Sequence, residues 1–372
     1  MKTTIRFAAL FSVAFIIGRA APFMAVGDNA ELFVTAGALV QADDNIYLSS
    51  SGKSDTVYSF TPGLDLVFGK GSQTSGDVYF NEEIRRYSSH SKQDVELASV
   101  GGRSSYSNGL TKADFNASYA EIAQNQVGAT LSSDIARRNV TNLGGNSEFS
   151  ISEKTLIGVG ATYVKTHYIP KAFTSSDIFT VPIDLYYQAT PKLAWSLGYA
   201  YRDSQLSGSA DDNTDSFFNL GARGEFTPKF SGQVKVGYTQ RSFDRAGSQS
   251  LFGLDSNFTY QPSEKTTVQL NFSNDFGNAG TGDSTKNLTF GGSVSTKMTD
   301  QWAVNASLNW RAIQYPTRTD DYVEGSLGVS YIYNSYFNFT ASYTYRNNSS
   351  DHASAGSEFT NNVFAVGGNV RY

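Results

Sequence analysis

The chain of 372 residues carries 29 Lys and Arg against 34 Asp and Glu, a formal net charge of −5 with no basic block, which argues against a nucleic-acid partner. It has no cysteine, so disulfides, thiolate metal sites and cysteine nucleophiles are excluded. Hydrophobic residues reach only 40%, yet aromatics make up 14%, with 22 Tyr and 26 Phe, a balance that suits strands alternating apolar and polar side chains.

The first element reads as an export signal. Lys2 and Arg6 form a charged start, Phe7 to Ile17 is an apolar run of eleven residues, and small residues follow at Gly18, Ala20, Ala25 and Gly27. The run is too short to span a bilayer as a helix. We read residues 1–27 as a signal peptide, cleaved after Ala20 or Gly27, and 28–372 as one domain. No later segment has the length of a transmembrane helix, so a membrane location would require a closed barrel.

From residue 31 onward the period is two. In chain order, Phe179–Tyr187, Leu193–Tyr201, Val268–Phe272, Trp302–Trp310 and Phe337–Tyr345 each put large apolar residues on one face. The other face carries Ser, Thr, Asn, Gln, Gly and Ala with scattered charges, where a soluble sandwich would place Lys and Glu. Small polar residues suit a wet enclosed lumen and the aromatic face suits lipid. Trp195, Tyr201, Trp302, Trp310 and Tyr333 fall near strand ends, where an interfacial girdle belongs.

The pattern predicts strands at 31–46, 55–69, 76–89, 94–107, 110–124, 135–152, 154–168, 178–190, 193–206, 214–228, 230–244, 250–262, 266–277, 285–297, 301–315, 320–334, 335–349 and 359–372. Tight turns such as Thr190-Pro-Lys192 and Thr227-Pro-Lys229 alternate with longer polar loops such as Asp203–Asp215, Asp244–Ser250, Asn278–Lys286, Gln314–Asp321 and Asn347–Glu358. This is an all-β, antiparallel up-and-down transmembrane β-barrel of about eighteen strands, with sixteen as the alternative. Its even count puts both termini on one side, and its width leaves an aqueous channel.

The last strand places Phe364, Val366, Gly368, Val370 and Tyr372 on one face. It looks like the closing strand of a bacterial outer-membrane barrel. Further segments carry a narrower resemblance: Ala42-Asp-Asp-Asn-Ile46, Ser54-Asp-Thr-Val-Tyr-Ser-Phe-Thr-Pro-Gly-Leu64, Tyr186-Tyr-Gln-Ala-Thr-Pro-Lys192, Leu197-Gly-Tyr-Ala-Tyr-Arg-Asp203 and Gly237-Tyr-Thr-Gln-Arg-Ser-Phe-Asp244. Together they resemble the β-barrel porins encoded in bacterial exopolysaccharide loci. The resemblance implies an outer-membrane location, among lipid and lipopolysaccharide, and a polysaccharide cargo delivered by a periplasmic export protein. It also implies that Phe364, Val366, Val370 and Tyr372 belong to a signal read by the barrel-assembly machinery.

Alternation aims Asp65, Glu83, Arg85, Asp184, Arg202, Arg223, Glu225, Lys235, Arg241, Asp255, Arg311 and Glu324 inward. They are candidate pore-lining groups that meet sugar hydroxyls, with Arg202, Arg223, Arg241 and Arg311 foremost. The plainer reading is a set of ion pairs bracing the wall. Asp43, Asp44 and Asn45 offer oxygen ligands for calcium, but no full ligand loop follows and a polar strand end explains them. His90, His167 and His352 fall at loops or strand ends with no Ser-His-Asp arrangement. The Asn-X-Ser/Thr triplets, as at Asn305, follow from Asn and Thr alternating on the polar face. We expect no enzyme, no metal and no cofactor. The expected function is passive conduction of exopolysaccharide. A general or solute-specific porin is the second reading. The third is a structural or adhesive barrel plugged by an infolded 125–147 region around Gly144-Gly145.

Overall fold

A strand whose faces differ must present each face to a different medium. In hydrocarbon its backbone N–H and C=O groups must all find partners within the protein. The computed structural model describes residues 21–27, 29–352 and 358–372 and resolves both demands by closure. The strands are β1 Met24–Val26, β2 Ala30–Asp43, β3 Asp55–Phe68, β4 Thr74–Tyr87, β5 Val95–Ser107, β6 Thr111–Ala123, β7 Arg137–Ser150, β8 Thr155–Tyr168, β9 Ser176–Thr190 and β10 Leu193–Leu206. They continue with β11 Asn213–Thr227, β12 Phe230–Phe243, β13 Ser248–Ser263, β14 Thr266–Asn278, β15 Ser284–Lys297, β16 Trp302–Gln314, β17 Thr319–Ile332, β18 Phe337–Ser350 and β19 Phe359–Arg371. From β2 to β19 each strand pairs antiparallel with its chain neighbours, and β19 returns to β2 from Val363 opposite Asp43 to Arg371 opposite Thr35. The ring therefore has eighteen strands, the number the alternation predicts rather than its sixteen-strand alternative.

The outer face is apolar and open. Trp195, Phe218, Leu220 and Phe252 are more than half exposed, a cost in water and none in lipid. Trp195, Trp302 and Tyr333 sit toward the short-turn end of the ring. The inner face carries the polar set, and the core that a soluble protein would have is replaced by two small apolar clusters near the long-loop end.

Two features depart from the sequence reading. The strands run 13 to 16 residues, beyond the roughly 9–11 that cross the hydrocarbon. Polar residues above the lipid can still pair their backbones, so the loop expected at Asp203–Asp215 contracts to 207–212, and Gln314–Asp321 to 315–318. The second departure is β1. Below Thr35 the edge of β2 has lost β19 as a neighbour, and β1 takes it, with Met24, Ala25 and Val26 opposite Leu32, Glu31 and Ala30. The phenyl ring of Phe23 meets Tyr372 edge-on at 6.2 Å, and Tyr336 flanks Tyr372 at 5.6 Å. The charged start and apolar run of the expected signal peptide, residues 1–20, lie outside the described residues.

Removing Phe364–Tyr372 takes away most of the pairing of β19 with both β18 and β2. The truncated chain should give no heat-modifiable barrel on a semi-native gel. A barrel that still shifts on heating would show that closure does not need this strand.

Candidate functional site

Two loops at the long-loop end turn into the ring. Residues 44–54 join β2 to β3, and residues 124–136 join β6 to β7. Asn125, 1% exposed, ties them together. Its Nδ2 lies 2.8 Å from Tyr47 O, 3.0 Å from Leu131 O and 2.9 Å from Asp134 O, while its Oδ1 accepts from Ala136 N at 2.8 Å. Asn45 does the same within the first loop, donating to Ser49 O at 2.8 Å and to Thr360 O of β19 at 2.9 Å. Such amides satisfy carbonyls that would otherwise be buried without partners. Ile46, Tyr47 and Ile135 pack with Val57, Tyr87, Val95 and Leu97 of the inner wall, and Leu48 packs with Tyr322, Phe359 and Val127.

The second loop crosses the lumen. Gly128 has φ +79°, which favours glycine, and a Cβ there would lie 2.8 Å from the Tyr315 hydroxyl and 3.4 Å from Ala279 Cβ. A Cβ on Gly280 would come within 2.7 Å of Ala129 Cβ. Ala279 and Gly280 belong to the β14–β15 loop. Six strands, β8 to β13, separate it from the 124–136 loop on one side and eight on the other. Burial, with Asp320 beside it, pushes the Tyr315 phenol up to about 12, so it meets the loop uncharged. The infolded segment thus ends at residue 136. Residues 137–150 form β7, and Gly144 and Gly145 stand in the wall. Among the described residues of the β10–β11 loop and the β18–β19 loop, none lies in either apolar cluster.

Below this cap the inward charges are largely engaged. Arg241, fully buried, donates from Nε and Nη2 to Asp215 at 2.7 and 2.8 Å, and from Nη1 to Gly277 O, Asn278 Oδ1 and Ser284 Oγ. Arg202 reaches the same Asp215 at 2.7 Å and grips Asp275 with both Nη atoms. Deeper, Lys235 Nζ bonds Asp184 at 2.6 and 2.7 Å, and Arg223 forms a two-pronged pair with Glu148 while its guanidinium covers the Tyr186 ring at 3.3 Å. Glu324 pairs with Arg346 at 2.8 Å, and Glu225 with the turn residue Lys192 at 2.5 Å. Glu83 pairs with Arg85 at 2.9 Å, and Asp65 lies 3.6 Å from Arg371. Arg311 stands over the Tyr322 ring at 5.1 Å without an acidic partner among the described residues, and Asp255 is exposed to the lumen.

Sequence reading missed the partners Glu148, Asp215, Asp275 and Arg346. Each was within reach of the same alternation. Arg346 continues Asn338, Thr340, Ser342 and Thr344, and Asp215 stands two residues before Phe217. Glu148 and Asp275 meet arginines on non-adjacent strands, and Asp215 and Arg346 meet theirs across a strand pair whose register periodicity along one strand cannot name. Asp43 accepts from Asn361 at 2.6 Å and Asp44 from Asn362 at 2.7 Å, so these carboxylates latch the seam between β2 and β19. No cluster of three metal-ligating side chains occurs among the described residues. His90 bonds Asp55 at 2.7 Å in a loop, away from any serine nucleophile arrangement. Phe364, Val366 and Tyr372 point outward, each about half exposed; Val370 shares their face.

The Asp215 cluster is the test of bracing. Asp215→Asn leaves the buried Arg241 without its counter-charge and should lower stability by about 3 kcal/mol. Glu225→Gln at the exposed pair should change it by less than about 1 kcal/mol. The midpoint of the heat-modifiability transition in detergent reads both.

Residues 207–372 match the family described as "Putative beta-barrel porin 2". No curated protein sequence matches the chain. Among solved structures, OccK2 (OpdF) of Pseudomonas aeruginosa aligns with a TM-score of 0.50 at 11% identity, over 92% of this chain and 98% of that one. The FrpB iron transporter from Neisseria meningitidis aligns with a TM-score of 0.50 at 10% identity, over 87% of this chain and 62% of its own. At these identities the likeness speaks for the fold. The porin family match runs through β11 to β19, somewhat less than half of the chain, and agrees with a closed ring that is apolar outside and polar inside, the build of an outer-membrane β-barrel.

Proposed function

We propose that the barrel is the outer-membrane port for an exopolysaccharide, passed to it by a periplasmic export partner at the short-turn end. The observation that carries this reading is the asymmetry of the ring. Short turns leave the periplasmic end free of infolded loops among the described residues, while two tethered loops cover the outer mouth. A polymer port needs a wide wet bore, and it also needs a cover when no polymer is passing. The resemblance of the segments around Ala42–Leu64 and Tyr186–Asp244 to porins of exopolysaccharide loci supplies the cargo class. Transport is permissive: weak, repeated hydrogen bonds let a chain slide without a deep trap. The favoured pore-lining set remains Arg202, Arg223, Arg241, Arg311, Lys235, Asp184, Glu225, Asp255 and Glu324, with Arg311 and Asp255 the two free to meet cargo directly.

Maturation fits the same scheme. Pairing of Met24–Val26 with β2, and Phe23 against Tyr372, favours cleavage after Ala20 over cleavage after Gly27. The outward row Phe364, Val366, Val370 and Tyr372 is the proposed contact for the assembly machinery.

A diffusion porin is the second reading, and the likeness in fold to OccK2 suits it equally. The crossing of the lumen by Gly128 and Ala129 favours a third, a barrel held shut. Bilayer conductance separates them. The native protein should rest in a low-conductance state, and Gly128→Val, which cannot seat against Tyr315, should raise the open current at least tenfold. Secretion by a deletion strain decides the cargo: undiminished exopolysaccharide would end the export reading and leave the diffusion porin. Unchanged, near-zero current from the Gly128→Val protein would favour the shut barrel.

A further inference from the structure

The lumen has two unlike walls. From β3 round to β12 the inward positions carry the charged pairs described above. From β14 to β18 the inward positions of the periplasmic two-thirds hold mainly amides, hydroxyls and small residues, with Lys297 at the periplasmic rim and the Glu324–Arg346 pair at the upper limit, opposite Asn309. In register across this wall, Gln269 faces Ser293 and then Ser307, and Asn271 faces Gly291 and then Asn309. Gly291 is a close approach: a Cβ there would lie 2.2 Å from Asn271 Oδ1, so the amide lies flat along the wall with Asn309 beyond it. Among the described residues, the side chains of Gln269, Asn271, Asn305 and Asn309 make no hydrogen bond to the protein, and Gln269 and Asn271 are exposed to the lumen. Each amide therefore keeps two donors and an acceptor for a passing molecule.

Electrostatics narrows what that molecule is. Most cations of the opposite wall are held by acids, as in Arg223 with Glu148 and Arg103 with Asp77, while Arg138 donates to Gln124 O. Beside the amide wall, Asp255 stands in register with Lys235, but the Lys235 ammonium reaches the other way, to Asp184. Asp255 is left as an open carboxylate on the lumen face. A polyanion would meet this carboxylate, and among the described residues the inward cations of the wall without an acidic partner are Arg311 above it and Lys297 at the periplasmic rim.

We infer that the β14–β18 wall is a track for an uncharged, hydroxyl-rich chain, and that the cargo is a neutral rather than an acidic polysaccharide. Hydroxyls both donate and accept, and amides match them without the desolvation that a bare charge would suffer. The inference rests on the port reading and names its substrate class.

The probes are maltohexaose and cellohexaose as neutral chains and hexagalacturonate as an acidic one, titrated calorimetrically into the full-length protein in detergent. At least one neutral hexasaccharide should bind, with hexagalacturonate at least fivefold weaker. The double variant Asn271→Leu, Asn309→Leu should weaken neutral binding at least fivefold, while Arg103→Gln, on the opposite wall, should leave it within twofold. Hexagalacturonate binding as tightly as the neutral chains, absence of binding by both neutral probes, or an unchanged double variant would each overturn the track. Loss of secretion in a deletion strain together with tighter hexagalacturonate binding would keep the port and reject its neutral cargo.

Discussion

Everything in this molecule depends on one constraint: in a bilayer no strand may keep an unpaired edge. The whole length of chain between Ala30 and Tyr372 is arranged around meeting it. β19 must come back to β2, and Val34 exchanges backbone hydrogen bonds with Tyr372 at 2.7 and 2.9 Å to finish the seam. Where β19 stops, β1 continues its lane, which is the usual need to cover an edge met with a three-residue strand. The carboxylates of Asp43 and Asp44 fasten the other end of the same seam to Asn361 and Asn362. A closure held at both ends explains why acids that look like ligands in the sequence are structural.

Closure creates the second problem, an interior that no core fills. A wall of eighteen strands encloses water, and charged side chains reaching into it gain little from one another unless they are desolvated together. The clusters around Asp215 and Asp184 do this by gathering partners from non-adjacent strands. Arg241 draws on β11, β14 and β15, and Lys235 of β12 reaches Asp184 of β9. Such contacts tie strands that share no backbone hydrogen bond, so they stiffen one side of the ring. Among the described residues the opposite wall has no ion pair between non-adjacent strands in its periplasmic two-thirds, and it leaves the amides of Gln269, Asn271, Asn305 and Asn309 without protein partners. Rigidity and solvation are therefore divided between two halves of one sheet.

The wall was legible in the sequence because its rule is local. Trp302 to Trp310 and Phe337 to Tyr345 state their faces by parity alone, and eighteen strands follow from repeating that rule. Parity also singled out the charges of the polar face, yet it could not say that Arg223 meets Glu148, 75 residues away. The mouth was the least legible part. Nothing near Asn125 announces that its amide closes on Tyr47, 78 positions earlier, and nothing near Gly128 points to Tyr315. A loop glycine reads as turn chemistry, so the sequence drew attention to Gly144-Gly145, where the backbone is ordinary strand. β1 escaped for a related reason: a strand of three residues is too short to show a period.

The cap differs in kind from the wall it covers. A wall strand has backbone bonds along both edges for its full length, and displacing it would expose unpaired groups to lipid. The loops at the mouth stand outside that penalty, because water reaches their backbone from above. They are held by the amides of Asn45 and Asn125 and by two small apolar clusters. A hydrogen bond of this type contributes about 1 kcal/mol net. The crossing at Gly128 is close-packed, with small residues, Ala129 and Gly280, letting the loop approach the β14–β15 loop, and Gln126 beside it donates to the Tyr168 hydroxyl at 2.7 Å. A partition built this way can yield while the ring around it does not move. The same arrangement explains why the buried ion pairs of Arg241 and Arg202 with Asp215 sit in the wall immediately below the mouth. The frame that holds a movable cover has to be the stiff part.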